Sequence, residues 1–323
     1  MTLESLIARP HTASRGPHQV LFLPQFVGSL AVALLVALPA TGQASDPVAR
    51  TTFEDVKGAL VIVGGGKLPD DVCDRFLELA GGPNAHLVII PTANAKGDQF
   101  PSLKSYNFWR SQKVRSVAFL HTRKREEAND PTFARPLLEA TGVWFQGGDQ
   151  SRVLDAYHGT TVEKELHNVL LRGGVIGGTS AGAALMSPIM ITGGITEASV
   201  GTGFGFLPGF VVDQHFQQRN RFGRLLGVLR KHPQLFGLGI DEQTAVIVRG
   251  HSLTVMGESN ARLYLPVPGK QPKEEILNRG SKPLDLAVLT RTAYAQVHPE
   301  PVRHEPAPIL LPRAALSPGP APR

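Results

Sequence analysis

From about residue 58 the chain alternates short apolar runs with longer stretches of helical spacing. Ala59–Val63 is an unbroken apolar run that stops at Gly64-Gly65-Gly66. Residues 70–80 read as a helix, and His86–Ile90 as a strand stopped by Pro91-Thr92-Ala93-Asn94. Helical spacing returns at 103–112, 131–140 and 162–172. Apolar runs at 115–120 and 143–146 separate them, the second stopped by Gly147-Gly148-Asp149-Gln150. Val175-Ile176 follows the last helix as a further strand. Continuous apolar strands joined by helices of 10–15 residues are the signature of βαβ units and a parallel sheet buried on both faces. The glycines collect at the carboxyl ends of the strands, where open α/β sheets bind ligands.

The second half reads as more antiparallel. Residues 244–248 and 252–256 flank Arg249-Gly250 as a hairpin, 270–282 is polar and reads as loop, and 284–289 as a last strand. No internal repeat is evident.

Composition adjusts this picture at the ends. Of 323 residues, 42% are hydrophobic and 19% charged, which suits a globular domain with a substantial core. Residues 1–44 look different. Arg9 and Arg15 precede an apolar run over 27–38, and Ala40-Thr41-Gly42-Gln43-Ala44 offers the small residues a signal peptidase reads. This predicts a cleaved secretory leader and an exported protein, periplasmic or extracellular, with the mature chain starting near Ser45. The run is short for a membrane span. Residues 297–323 form a Pro-rich tail, expected to be disordered. The domain between is expected over 53–296. The net charge of +6 is scattered and lacks the basic stripe with aromatics that nucleic acid would want. Cys73 is the only cysteine, which excludes an internal disulfide and a cysteine-based metal site.

Candidate chemistry starts at Gly177-Gly178-Thr179-Ser180-Ala181-Gly182-Ala183. It is a G-x-S-x-G pattern directly after a strand, the arrangement of a nucleophile elbow. Ala181 N–H, at a helix N-terminus, would face an oxyanion. A serine nucleophile needs a base, and most of the eleven histidines stand in leader, tail, helix or turn. His121 follows a strand and competes weakly. His215 ends Phe210-Val211-Val212-Asp213-Gln214-His215, an apolar strand turning polar at the edge where Ser180 should emerge. Gly237-Leu238-Gly239-Ile240-Asp241-Glu242 is another strand ending in carboxylates. Asp241 and Glu242 therefore compete to orient the histidine. The order Ser, His, acid departs from the Ser, acid, His order of α/β-hydrolases and points to a different α/β fold. Gly64-Gly65-Gly66-Lys67 fits no nucleotide-binding spacing, since Leu68 follows the lysine and Pro69 occupies the third glycine position of a dinucleotide fingerprint. It reads instead as a loop edging the cleft.

These segments, with Val143-Trp144-Phe145-Gln146-Gly147-Gly148-Asp149-Gln150 and the arginine-bearing Asp213-Gln214-His215-Phe216-Gln217-Gln218-Arg219-Asn220-Arg221-Phe222-Gly223-Arg224-Leu225-Leu226, resemble cyanophycinases over about residues 57–296. These are serine peptidases with the class I glutamine amidotransferase-like fold. The resemblance implies an α/β three-layer α/β/α sandwich with a mostly parallel sheet. It implies Ser180 as nucleophile, His215 as base and Glu242 as orienting acid, with Gly148 and Ala181 N–H groups as oxyanion donors. It assigns substrate contacts to Gln150, Asp213, Gln214, Arg219 and Arg224, and no metal or organic cofactor. The implied reaction is exopeptidase release of β-Asp-Arg dipeptides from cyanophycin, multi-L-arginyl-poly-L-aspartate. On that chemistry Asp213 would accept a guanidinium, and Arg219 and Arg224 would grip carboxylates. Cyanophycin or another Asp/Arg-rich peptide is the expected partner, with a homodimer left open. Rival readings are a dipeptidase for aspartyl or isoaspartyl peptides and a non-catalytic binding protein with the same cleft. An amidotransferase is disfavoured, because its nucleophile is a cysteine and Cys73 stands on no elbow.

Overall fold

A computed structural model describes residues 58–289. The expected leader over 1–44, the tail over 297–323 and the domain limits at 53 and 296 lie outside the described residues. In chain order the elements begin with β1 (Ala59–Val63), α1 (Asp70–Leu79), β2 (His86–Ile90), α2 (Lys104–Arg110) and β3 (Ser116–Phe119). Next come α3 (Arg125–Ala128), α4 (Pro131–Ala134), β4 (Gly142–Phe145), α5 (Gln150–Tyr157) and α6 (Thr161–Leu171). The elbow joins β5 (Val175–Thr179) to α7 (Ala181–Ala184), and a hairpin follows, β6 (Ile189–Gly193) and β7 (Ser199–Thr202). Beyond it run β8 (Phe210–Gln214), α8 (Phe222–Lys231), β9 (Phe236–Ile240), β10 (Thr244–Arg249), β11 (Ser252–Gly257), β12 (Ala261–Leu265), β13 (Lys273–Leu277) and β14 (Leu284–Asp285).

The main sheet has the order β14-β11-β10-β1-β5-β4-β2-β3. From β1 to β3 every pairing is parallel, while β10, β11 and β14 extend the other edge antiparallel. β1 and β4 are buried along their whole length, so their sequences are apolar without alternation. On one face α1 and α2 enclose Phe76, Trp109 and Trp144, with Phe76 edge-on to Trp144 at 4.9 Å between ring centroids. On the other face Val153, Tyr157, Leu166 and Val169 of α5 and α6 join the larger core. This is the expected α/β sandwich. It carries one unexpected addition, a second sheet of order β13-β12-β9-β8, with α8 packed on it through Leu225, Val228 and Leu229.

Four sequence expectations are corrected. The helix expected over 131–140 breaks after Ala134 into a 3₁₀ turn, Arg135–Leu137, because Pro136 cannot continue an α-helical ladder. The polar stretch 270–282 contains β13, a solvent-facing edge strand whose polarity hides it from an apolar pattern. Of 284–289 only Leu284 and Asp285 pair as strand, against Leu253 and Ser252. Lastly, β8 and β9 stand in the second sheet, so His215 does not emerge from the sheet that carries Ser180.

Candidate active site

One loop joins the two sheets at the site. Three consecutive carbonyls at the end of β1 each hold a different segment. Val63 O accepts from Ser180 N at 3.0 Å, Gly64 O from His215 N at 2.7 Å, and Gly65 O from Gln243 N at 2.8 Å. A Cβ on Gly65 would land on the His215 ring, and one on Gly66 would crowd Glu242 Oε2 at 3.2 Å. The glycine loop that fits no nucleotide motif is thus the floor on which the site stands.

Ser180 sits at the turn with φ 54° and ψ −111°, a conformation that L side chains rarely adopt. Gly178 and Gly182 permit the sharp turn, because a Cβ on Gly178 would come within 2.6 Å of Gly182 backbone. His215 (φ 49°) and Gln243 (φ 56°), which follows Glu242, share the left-handed region. Strained backbone of this kind gathers at functional sites.

Ser180 Oγ lies 2.7 Å from His215 Nε2, and His215 Nδ1 lies 2.5 Å from Glu242 Oε1. A carboxylate only accepts, so Nδ1 carries the hydrogen and Nε2 is left to accept from the Ser180 hydroxyl. Of the two competing acids, Glu242 is the one that meets the imidazole. Asp241 accepts from Gln217 N at 3.1 Å and from Ser259 Oγ at 2.8 Å, and so ties turns together away from the imidazole. Burial pushes the His215 pKa below the usual histidine value. The hydrogen bond to Glu242 opposes that shift, and the nearby Arg219 charge adds to it.

The Gly147-Gly148 turn abuts Ser180, since a Cβ on Gly147 would lie 3.4 Å from Ser180 Cβ. Gly148 has φ 147°, and a Cβ there would strike the Ala93 carbonyl, which also accepts from Asp149 N and Arg152 Nη1. Among the described residues neither Gly148 N–H nor Ala181 N–H donates to a protein acceptor.

The expected substrate contacts divide. Arg219 is exposed, makes no ion pair among the described residues, and is close enough to act on the His215 charge. Gln214 is buried, with Oε1 3.5 Å from Ser180 Oγ. Gln150 spends its amide on Ile191 O and Thr192 O at 2.8 and 2.9 Å, which ties the hairpin to the start of α5.

Asp213 and Arg224 are a correction. They face each other, with Arg224 Nε 2.7 Å from Asp213 Oδ2 and Nη2 on Oδ1, while Nη1 donates to Gly194 O at 2.6 Å. Their side chains are 0% and 3% exposed, so neither is available to grip a ligand. Burial raises the Asp213 pKa above the usual carboxylate value, and the bonds from Arg224 oppose the shift. Arg221, given no role from sequence, donates to Gln214 O at 2.6 Å and Oε1 at 2.9 Å and thereby fixes the residue beside Ser180. Burial and the neighbouring Arg224 bring its pKa down to about 10. The only trace of its role in the sequence is a third arginine in the stretch after His215.

Residues 60–256 match the profile of peptidase family S51. The chain belongs to peptidase family S51. It is therefore a peptidase, a hydrolase. It is 34% identical over 237 residues to a cyanophycinase of Synechococcus elongatus, covering 68% of this chain and 73% of that protein. A cyanophycinase of Geminocystis herdmanii is 32% identical over 224 residues, covering 64% of this chain and 80% of its own. Among solved structures, a peptidase from an acI-B1 Actinobacterium shares the fold with TM-score 0.54 at 22% identity, over 72% of this chain and 98% of that one.

Proposed function

We propose that the protein is a serine exopeptidase that cleaves cyanophycin to β-Asp-Arg dipeptides through an acyl-enzyme on Ser180. The observation that carries this reading is the unbroken relay from Ser180 Oγ through both His215 nitrogens to Glu242. His215 Nε2 takes the hydroxyl proton as Oγ attacks the scissile carbonyl. The developing oxyanion faces Gly148 and Ala181 N–H. Glu242 stabilises the imidazolium, which passes its proton to the leaving amine. Water, deprotonated by His215, then opens the ester. Support for the substrate comes from the relatives named cyanophycinase and from Arg219, a cation beside the relay suited to a substrate carboxylate.

The direct test is incubation with insoluble cyanophycin and mass analysis of the soluble products. β-Asp-Arg is the expected species. Faster cleavage of short isoaspartyl peptides than of the polymer would favour a dipeptidase, and release from neither would overturn the reading. Arg219→Gln should lower kcat/KM on the polymer about ten-fold, as for one exposed charge-assisted contact, and leave a small activated ester unaffected near pH 8. Equal losses on both would move Arg219 from recognition to support of the relay.

The base must be neutral to act, and its pKa is lowered. Activity should therefore persist below the ordinary histidine midpoint, with the acid limb of kcat/KM displaced to lower pH. Arg219→Gln removes a cation and should move that limb back upward. A pH–rate profile on the ester reads both effects.

We further propose export of the protein, with the leader removed near Ser45. N-terminal sequencing of material from the native host tests this, and recovery of full-length chain from the cytoplasm would contradict it.

A further inference from the structure

Beside the site a cavity of about 450 Å³ lies between α5 and the β6–β7 hairpin. Ser151, Leu154, Asp155 and His158 line one wall. Their spacing of three, four and seven puts them on one face of α5. Met190 and Thr192 of the hairpin stand opposite, and Arg125 completes the lining. The groove starts close to the reacting centre, because α5 begins at Gln150, two residues after Gly148. Gln150 bonds to the same hairpin at Ile191 and Thr192, which fixes the groove's upper end. The seven-residue step from Ser151 to His158, the C-cap of α5, spans about 10 Å, the length of roughly three residues of extended peptide.

Its charges are mixed and available. Asp155 and Arg125 are both exposed, and neither makes an ion pair or side-chain hydrogen bond among the described residues. His158, by contrast, lies 3.2 Å from Glu163 and belongs to the wall. A groove with one free carboxylate and one free guanidinium suits a ligand carrying the same two groups in reverse. Each branch of an arginyl-polyaspartate is such a ligand, with a guanidinium at one end and a free α-carboxylate at the other.

We propose that this groove is a distal arginyl subsite. It takes a branch beyond the two that flank the scissile bond, with Asp155 on the guanidinium and Arg125 on the α-carboxylate. This inference rests on the cyanophycin reading above and adds to it a means of holding the polymer between cuts. It assigns no chemical step to either residue.

Asp155→Asn and Arg125→Gln separate the two ideas. Wild type and variants are assayed on insoluble cyanophycin and on the two-unit oligomer, which has one scissile bond and no third branch. Each variant should lose about ten-fold in kcat/KM on the polymer, as for one exposed charge-assisted contact, and stay near wild type on the oligomer. Co-sedimentation with insoluble cyanophycin in a Ser180→Ala background should weaken in parallel and fade with added salt. Equal losses on both substrates, or none on either, would overturn the subsite and leave the cyanophycin reading intact. A wild type that cuts neither substrate would defeat that reading first, and the subsite with it.

Discussion

Ser180→Ala should lower turnover by about a million-fold while leaving the fold intact, the scale found when a serine-hydrolase nucleophile is removed. The reason is local. The hydroxyl stands 2.7 Å from the only imidazole that also meets a carboxylate at its far nitrogen within this site. Among the described residues Ser180 is the hydroxyl that bonds the His215 ring. His215→Ala should cost a comparable amount, because the serine would keep its proton. The double variant should be little worse than either single one, since the two residues act as a unit and their losses do not add. Circular dichroism and a thermal melt would establish that each variant is folded. Near-normal turnover in folded Ser180→Ala would end the serine-peptidase mechanism for this chain.

Asp213→Ala should be the most destabilising single change near the site. Arg224 would be left buried without its carboxylate, and breaking such a pair by removing one partner costs about 3–5 kcal/mol. Urea unfolding measures this directly. Activity should fall together with stability, because Asp213 immediately precedes Gln214 and His215, and Arg224 also holds Gly194 at the hairpin. Replacing both members with apolar residues should recover part of the stability, since the stranded charge is gone. The direct-grip expectation makes a different prediction. On that expectation Asp213→Ala raises KM on the polymer and leaves the unfolding midpoint unchanged, and that result would restore Asp213 as a substrate contact.

The same pair shows where sequence stops being readable. Asp213 and Arg224 lie eleven residues apart, one on a strand and one on a helix, so no helical or strand period relates them. Only the packing of α8 on β8 and β9 brings them together. The elbow, by contrast, is local in sequence: strand, glycines, serine and helix are contiguous, and Gly178 is explained by a collision within the same turn, while Gly177 and Gly182 make room for Trp144 and Phe145 of β4. The parallel half of the main sheet was legible for a similar reason, since burial on both faces leaves unbroken apolar runs in β1, β2 and β4. The second sheet was not. Its β13 edge is polar, and β8 and β9 carry the same apolar pattern they would have in the first sheet. Glu242 could be preferred over Asp241 only by resemblance, because two adjacent carboxylates at a strand end are equivalent until the backbone turn is known. That turn sends Asp241 toward Gln217 and Ser259, and Glu242 toward His215. From sequence the glycine loop after β1 reads as an edge of the cleft, but its three carbonyl bonds to the site segments follow only from the meeting of the two sheets.

The central claim is that Ser180 is the nucleophile and His215 its base. Covalent labelling with a small fluorophosphonate, read by intact-mass and peptide mass spectrometry, tests it most directly. The account predicts one adduct per chain, on the peptide that contains Ser180, with activity lost in step and labelling abolished in both Ser180→Ala and His215→Ala. Inactivation with the adduct on another residue, or full activity with Ser180 labelled, would contradict it.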